Sequence, residues 1–325
     1  MRAVRQWFGA VIAALAIAGP SSAQAEDATA MIAERFSQSC PLPAPGREQE
    51  AYEACRAVLF ADTRLHALFS PKLRWGGDVA GKRLADLSLT HFDPRVFAGL
   101  YLPLFATTGH VVTAADPIED RIAIKLQVRF RNQLTPGQFP YPFWHSPDKW
   151  SAYEYTNQIV FYFNRESGLI DVVLRSPEGS EDGLPPVQAA KPPAFDGQWV
   201  WSGQDSKPEP SISWFDGLLR ADNPYLGEVT DRYRRFATGM RDASCLSCHV
   251  PSNPAGTRRL VLLQTPAHAA GEIKRVLASV RSGRMPREES GDPKPLEESL
   301  RQVLLSDGQA FSDAVDRALA WEDGR

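Results

Sequence analysis

The chain has 325 residues, of which 43% are hydrophobic and 23% charged, with a formal net charge of -3. This is globular composition with room for two or three cores. The near balance of 36 basic against 39 acidic side chains excludes a nucleic-acid footprint, and a mean hydropathy of -0.30 excludes a polytopic membrane protein.

The N-terminus carries the clearest regional pattern. Arg2 and Arg5 precede the apolar run Trp7 to Gly19, and Pro20-Ser21-Ser22 leads on to Ala23-Gln24-Ala25 and the acidic pair Glu26-Asp27. A basic start, an apolar stretch and an A-x-A site make a secretory leader. The thirteen apolar residues from 7 to 19 are too few to span a bilayer comfortably. Cleavage is expected after Ala25, which removes two arginines and leaves a mature charge of -3 - 2 = -5. The expected location is the periplasm, with no membrane span once residues 1–25 are gone. Export also bears on the four cysteines. Cys40, in the turn CPLPAPG, and Cys55, in a helical stretch from Arg47 to Phe69, lie fifteen positions apart in an oxidising compartment, and a disulfide is expected between them.

Residues 28–112 read as mostly helical. Ala51, Ala54, Val58 and Leu65 fall near one face of the Cys55 helix, and Asp93-Pro94 is an N-cap followed by a first-turn proline. From about 113 to 205 the pattern changes to that of a small antiparallel sheet. In RIAIKLQVRF (121–130) apolar and polar residues alternate, as in a half-buried strand. NQIVFYF (157–163) and LIDVVL (169–174) flank a Gly-containing turn, and GQWVWSG (197–203) is a further short strand. Residues 26–215 are therefore expected to form an α+β domain, of a role that the sequence does not specify.

The pattern is helical again beyond SKPEPS and DNP (206–224). Leu226, Val229, Tyr233, Phe236 and Met240 make one stripe that runs directly into CLSCH (245–249). Ile273, Val276, Leu277 and Val280 mark a second helix, which ends at Ser282-Gly283 and is followed by Arg284-Met285-Pro286. A last helix has Phe311, Val315, Ala318 and Leu319 on one face.

Three chemistries use a cluster such as CLSCH. A zinc site needs two more ligands at short spacing, and the nearest other cysteine is 245 - 55 = 190 positions upstream. A thioredoxin-type dithiol needs a strand before the motif in a βαβ setting, whereas a helix precedes it here. Covalent haem attachment needs two thiols for the vinyl groups and a histidine beside them to reach the iron, in an exported chain. The chain supplies each of these, so haem attachment is the expected chemistry.

With a leading helix, C-x-x-C-H at its end, the loop VPSNP, a helix, SGRMP and a closing helix, residues 222–325 resemble a class I c-type cytochrome domain. The resemblance implies an all-α haem domain behind the α+β region, with one covalent haem c. It implies Cys245 and Cys248 as thioether sites, His249 as the proximal axial ligand and Met285 as the distal one. The two ligands are 285 - 249 = 36 residues apart, a short spacing for this family, and His268 is the alternative distal ligand. The other ring nitrogen of His249 is expected to bond a backbone carbonyl between Val250 and Pro254. Met240 is read as a core residue.

Trp144, His145 and Trp150 lie in the aromatic stretch YPFWHSPDKW (141–150), with Trp199, Trp201 and Trp214 further on. These are expected mainly as core aromatics, with a pocket or docking surface as the alternative. His66, His91 and His110 stand apart in sequence, and no nucleophile elbow, P-loop or zincin motif is found. The expected function is one-electron transfer to a periplasmic redox partner protein. A haem-dependent oxidoreductase, or a haem-based gas or redox sensor, is the alternative.

Overall fold

The computed structural model describes residues 22–76, 83–116, 121–131, 156–164, 167–175, 199–202, 208–210, 215, 217–245, 248–249, 259–261, 263, 266–288 and 290–325. The predicted leader, residues 1–25, lies outside these up to residue 21. The stretch YPFWHSPDKW with Trp144, His145 and Trp150 lies wholly outside, as does Trp214.

Helix α1 (Ser22–Ser39) buries Ile32, Ala33 and Phe36 at helical spacing, and the predicted cleavage point after Ala25 falls in its first turn. Helix α2 (Glu48–Ala61) buries Tyr52, Cys55 and Leu59. The expected disulfide between Cys40 and Cys55 is present and ties the end of α1 to α2. The single helix expected from Arg47 to Phe69 breaks at Asp62. Its carboxylate accepts from the Leu65 amide at 3.0 Å and so starts a separate short helix, α3 (Thr63–Leu68). Asp93 does cap α4 (Pro94–Val96), accepting from Arg95 N at 2.8 Å, and the chain continues through a π-helical turn (Phe97–Tyr101) and a 3-10 turn (Leu102–Leu104).

A seven-stranded mixed sheet organises the rest, in place of the small antiparallel sheet expected from about 113 to 205. The strands are β1 (Phe69–Gly76), β2 (Ser88–His91), β3 (Phe105–Asp116), β4 (Arg121–Phe130), β5 (Gln158–Asn164), β6 (Leu169–Arg175) and β9 (Arg259–Val261), in the order β3-β4-β5-β6-β1-β2-β9. From β3 to β6 the pairing is antiparallel, β1 joins β6 in parallel, β2 is antiparallel to β1, and β9 is parallel to β2. The predicted strands at 121–130, 157–163 and 169–174 are β4, β5 and β6 to within a residue. Within the predicted strand at 197–203, the described residues Trp199–Ser202 form β7, which pairs with β8 (Pro208–Pro210) in a separate ribbon. Strands β1 and β2 lie inside the stretch read as helical. In FSPKLRWG, Phe69, Pro71, Leu73 and Trp75 alternate with Ser70, Lys72 and Arg74, a period of two that over eight residues specifies a strand.

Three helices follow: α5 (Leu226–Asp242), α6 (Pro266–Arg281) and α7 (Glu298–Asp323). The stripe on α5 is buried at Val229, Tyr233, Phe236 and Met240, and Phe236 and Tyr233 lie 5.7 and 5.6 Å from the ring of Phe311 on α7. A Cβ on Gly308 would meet Leu277 Cδ2 at 2.7 Å, so the glycine lets α7 lie directly on α6.

These helices do not form the all-α domain that the resemblance implied, and that expectation is corrected. β9 comes from the C-terminal part and completes the sheet beside β2. His268 of α6 is bonded to Tyr101. One apolar cluster runs without a break from Ile32 on α1 to Ala318 on α7. The physical reason is burial. Helix α6 carries apolar groups on more of its circumference than α5 and α7 can cover, and the sheet side covers the remainder. The fold is therefore α+β throughout, with His249 of the CLSCH segment held on the sheet's β9 edge. Among the described residues no helix is long and apolar enough to cross a membrane.

Candidate functional site

Helix α5 stops just before the motif. Ala243 N still donates to Gly239 O at 2.9 Å, and Ser244 N donates back to Arg241 O at 2.9 Å. Ser244 has φ 59°, the left-handed conformation that closes a helix end and redirects the chain. A new turn then begins at Cys245, whose carbonyl accepts from Cys248 N at 3.4 Å and from His249 N at 3.2 Å. The turn gathers both thiols and the imidazole within five residues. Cys245 packs against the main core, Cys248 is exposed, and neither cysteine is in a disulfide.

His249 is held from two sides by the β9 segment. Its Nδ1–H donates to Val261 O at 2.7 Å, and its own carbonyl accepts from Leu263 N at 3.1 Å. A carbonyl can only accept, so Nδ1 carries the ring proton and Nε2 keeps its lone pair. Burial lowers the pKa of His249, while the Val261 bond acts in the opposite sense. The result is a neutral imidazole of fixed tautomer and fixed plane, which is the form that binds a metal. The acceptor is Val261 rather than a carbonyl between Val250 and Pro254, because β9 places that strand's backbone against the ring.

The thiols distinguish between the remaining chemistries. Burial pushes Cys245 up to about 11, so at neutral pH it is a thiol. A dithiol oxidant needs the reverse, a thiolate stabilised near or below neutrality. Among the described residues no three His, Cys, Asp or Glu side chains come together to hold a metal ion, so CLSCH finds no further zinc ligands there. What remains is two unoxidised thiols on one turn beside an imidazole whose Nδ1–H is fixed on Val261 O, which leaves the lone pair on Nε2. Those residues fit covalent haem: two thiols to take the vinyl groups and one nitrogen to take the iron.

The two distal candidates are placed differently. Met285 is half-buried, just beyond the turn that ends α6 at Ser282 and Gly283. His268 lies in the first turn of α6 and is only 1% exposed. Its Nε2 bonds Tyr101 Oη at 2.8 Å, its ring stacks on Tyr101 at 5.5 Å, and Phe92 lies 5.1 Å away. Burial pushes His268 down to about 3, so it is a neutral core histidine with its Nε2 engaged. Met240 is fully buried in the α5 stripe, as its spacing indicated.

Of the other histidines, His66 is buried and its Nε2–H donates to Leu59 O at 2.8 Å. His91, on β2, accepts through Nδ1 from Arg275 Nη1 at 2.8 Å. His110 lies on β3. Sequence reasoning missed Val261, Glu272 and Arg275 as parts of this region, since their neighbours are fixed by sheet pairing and not by any local motif. Comparison with protein families, with curated proteins and with solved structures gives no match. The functional reading therefore rests on the chemistry of the motif and its surroundings.

Proposed function

We propose that the protein carries one haem c, attached through Cys245 and Cys248 with His249 as the proximal ligand, and acts as a one-electron carrier outside the cytoplasm. The observation that carries this reading is the His249–Val261 bond beside two unoxidised thiols. It fixes the tautomer that leaves Nε2 for iron, a requirement that neither a redox dithiol nor a structural disulfide would impose. The Cys40–Cys55 disulfide supports the exported setting in which such attachment takes place.

Covalently held haem supplies a reversible one-electron couple at iron, with a potential set by the axial ligands, burial and hydrogen bonding. The chain's own residues set those terms. Val261 O accepts the hydrogen bond from Nδ1–H and makes Nε2 a stronger donor. Cys245 and the core behind it exclude water from one side. Met285 is the distal ligand in this reading, since His268 already gives its Nε2 to Tyr101. The partner is a periplasmic redox protein.

The test is a pair of variants read by spectroscopy. Wild-type protein should give a six-coordinate c-type spectrum that resists CO when reduced. Met285→Ala should admit CO and lower the potential, and His268→Ala should leave the iron's ligation unchanged. CO binding by the wild type would shift the reading to the sensor or oxidoreductase class. Loss of six-coordination in His268→Ala alone would assign His268 as the ligand.

A further inference from the structure

Beyond Val261, on the sheet side of His249, the polar side chains of His91, Arg275 and Glu272 form a connected row. Val261 O holds His249 Nδ1 at 2.7 Å, and Val261 is in register with His91 on the neighbouring strand β2, about 4.8 Å away as in any sheet. His91 Nδ1 accepts from Arg275 Nη1 at 2.8 Å. Arg275 Nε lies 3.2 Å from Glu272 Oε2. Each link from His249 to Glu272 is thus a hydrogen bond, a strand pairing or an ion pair.

Glu272 is the unusual member. It is a carboxyl with 4% of its side chain exposed, on the buried side of α6. Its counter-charge, Arg275, is 45% exposed and shared with His91, so it only partly offsets the burial. Asp93 adds a second acid on the sheet side, where Gly271 lets α6 approach so closely that a Cβ would meet Asp93 Cβ at 2.4 Å. Beyond Asp93 stand Arg95, which is paired with Asp323 at 2.6 Å, and His66, which is buried and bonded to Leu59 O. One turn before Glu272 on α6, His268 is neutral and bonded to Tyr101. Burial is the main cause that pushes Glu272 up to about 7, with Asp93 acting in the same sense and Arg275 against it.

We propose that Glu272, Arg275 and His91 couple electron transfer at the CLSCH site to uptake of one proton, with Glu272 as the carboxylate that takes it. The inference rests on the haem-carrying role proposed above. When a one-electron donor protein delivers an electron at the site, the positive charge beside His249 falls by one unit. The Glu272 carboxylate then binds one proton from solvent, and re-oxidation by an acceptor returns both the electron and the proton. The sign follows from charge. Ionised Glu272 favours the oxidised state, so the potential falls as pH rises through neutrality. Arg275 opposes protonation of Glu272, so its removal moves the coupling to higher pH.

The experiment is a potentiometric titration of the full-length exported protein from pH 5 to pH 9, with dithionite and ferricyanide as reductant and oxidant. The potential should fall through a single transition near neutral pH. In Glu272→Gln the transition should vanish and the potential at pH 8 should exceed that of the wild type. In Arg275→Gln the transition should move to higher pH. Redox-difference infrared spectra of the wild type read the same event without a variant, through a protonated carboxyl band that appears on reduction at pH 7. A pH-independent wild-type potential with haem attached, or an unchanged transition in Glu272→Gln, overturns the proposal alone. A protein that matures without haem overturns the proposal together with the reading beneath it.

Discussion

Gly271→Ala is expected to loosen the joint between α6 and the sheet. The Cβ it adds would lie 2.4 Å from Asp93 Cβ, an atom fixed to the backbone at the cap of α4. Carbon atoms rest about 3.5–4.0 Å apart, so helix and cap must separate by roughly 1 Å or more. Overpacking of this kind costs about 1–3 kcal/mol. The substitution also replaces glycine by alanine within a helix, which returns about 1 kcal/mol. The net expectation is a loss of about 0–2 kcal/mol. Gly227→Ala on α5 is the control: open space surrounds that Cβ, so only the propensity gain of up to about 1 kcal/mol remains. Urea denaturation of both variants measures the two signs. If Gly271→Ala is as stable as Gly227→Ala, then α6 does not sit on Asp93. The C-terminal helices would in that case stand apart from the sheet, and the single continuous core described above would be wrong.

The Cys40→Ala, Cys55→Ala double variant should lose about 3 kcal/mol of stability through the larger entropy of its unfolded chain, and thiol labelling of unfolded, unreduced wild type should find neither residue reactive. Glu272 should make stability depend on pH. Its folded pKa of about 7 lies above its unfolded value near 4.5, so the unfolded chain holds fewer protons in that window, and stability falls as pH rises from about 4.5 to 7. The full effect above that window is up to about 3 kcal/mol, and urea denaturation at pH 5 and pH 8 should show it in the wild type and not in Glu272→Gln.

The parts of the molecule that could be read from the chain were those encoded locally. The CLSCH motif needs five consecutive residues, strand β4 shows its alternation over ten, and the Cys40–Cys55 bridge links a turn to the adjacent helix. The parts that escaped depend on partners far away in sequence. Strand β9 has three residues, too few for any period, and exists because β2 offers it a ladder. The orientation of His249 depends on that strand, twelve positions on. The burial of His268 is not legible locally, because its neighbours Tyr101 and Phe92 lie more than 160 positions upstream. The alternation of β1 was present in the sequence but was absorbed into the helical reading of its flanks, where Leu65 and Phe69 keep a spacing of four. The all-α expectation failed for the same reason. The helix periods in residues 222–325 were correct, and nothing in them shows that α6 buries one side against a sheet.

The central claim is covalent haem at CLSCH, and intact mass tests it most directly. The protein should be expressed with its leader in a host that attaches c-type haem, alongside a Cys245→Ala, Cys248→Ala variant. The account predicts a wild-type chain heavier by one haem that withstands denaturation and acid–acetone extraction, and a variant without it. A wild-type mass equal to the polypeptide alone, with Cys245 and Cys248 labelled as thiols or joined to each other, would contradict it.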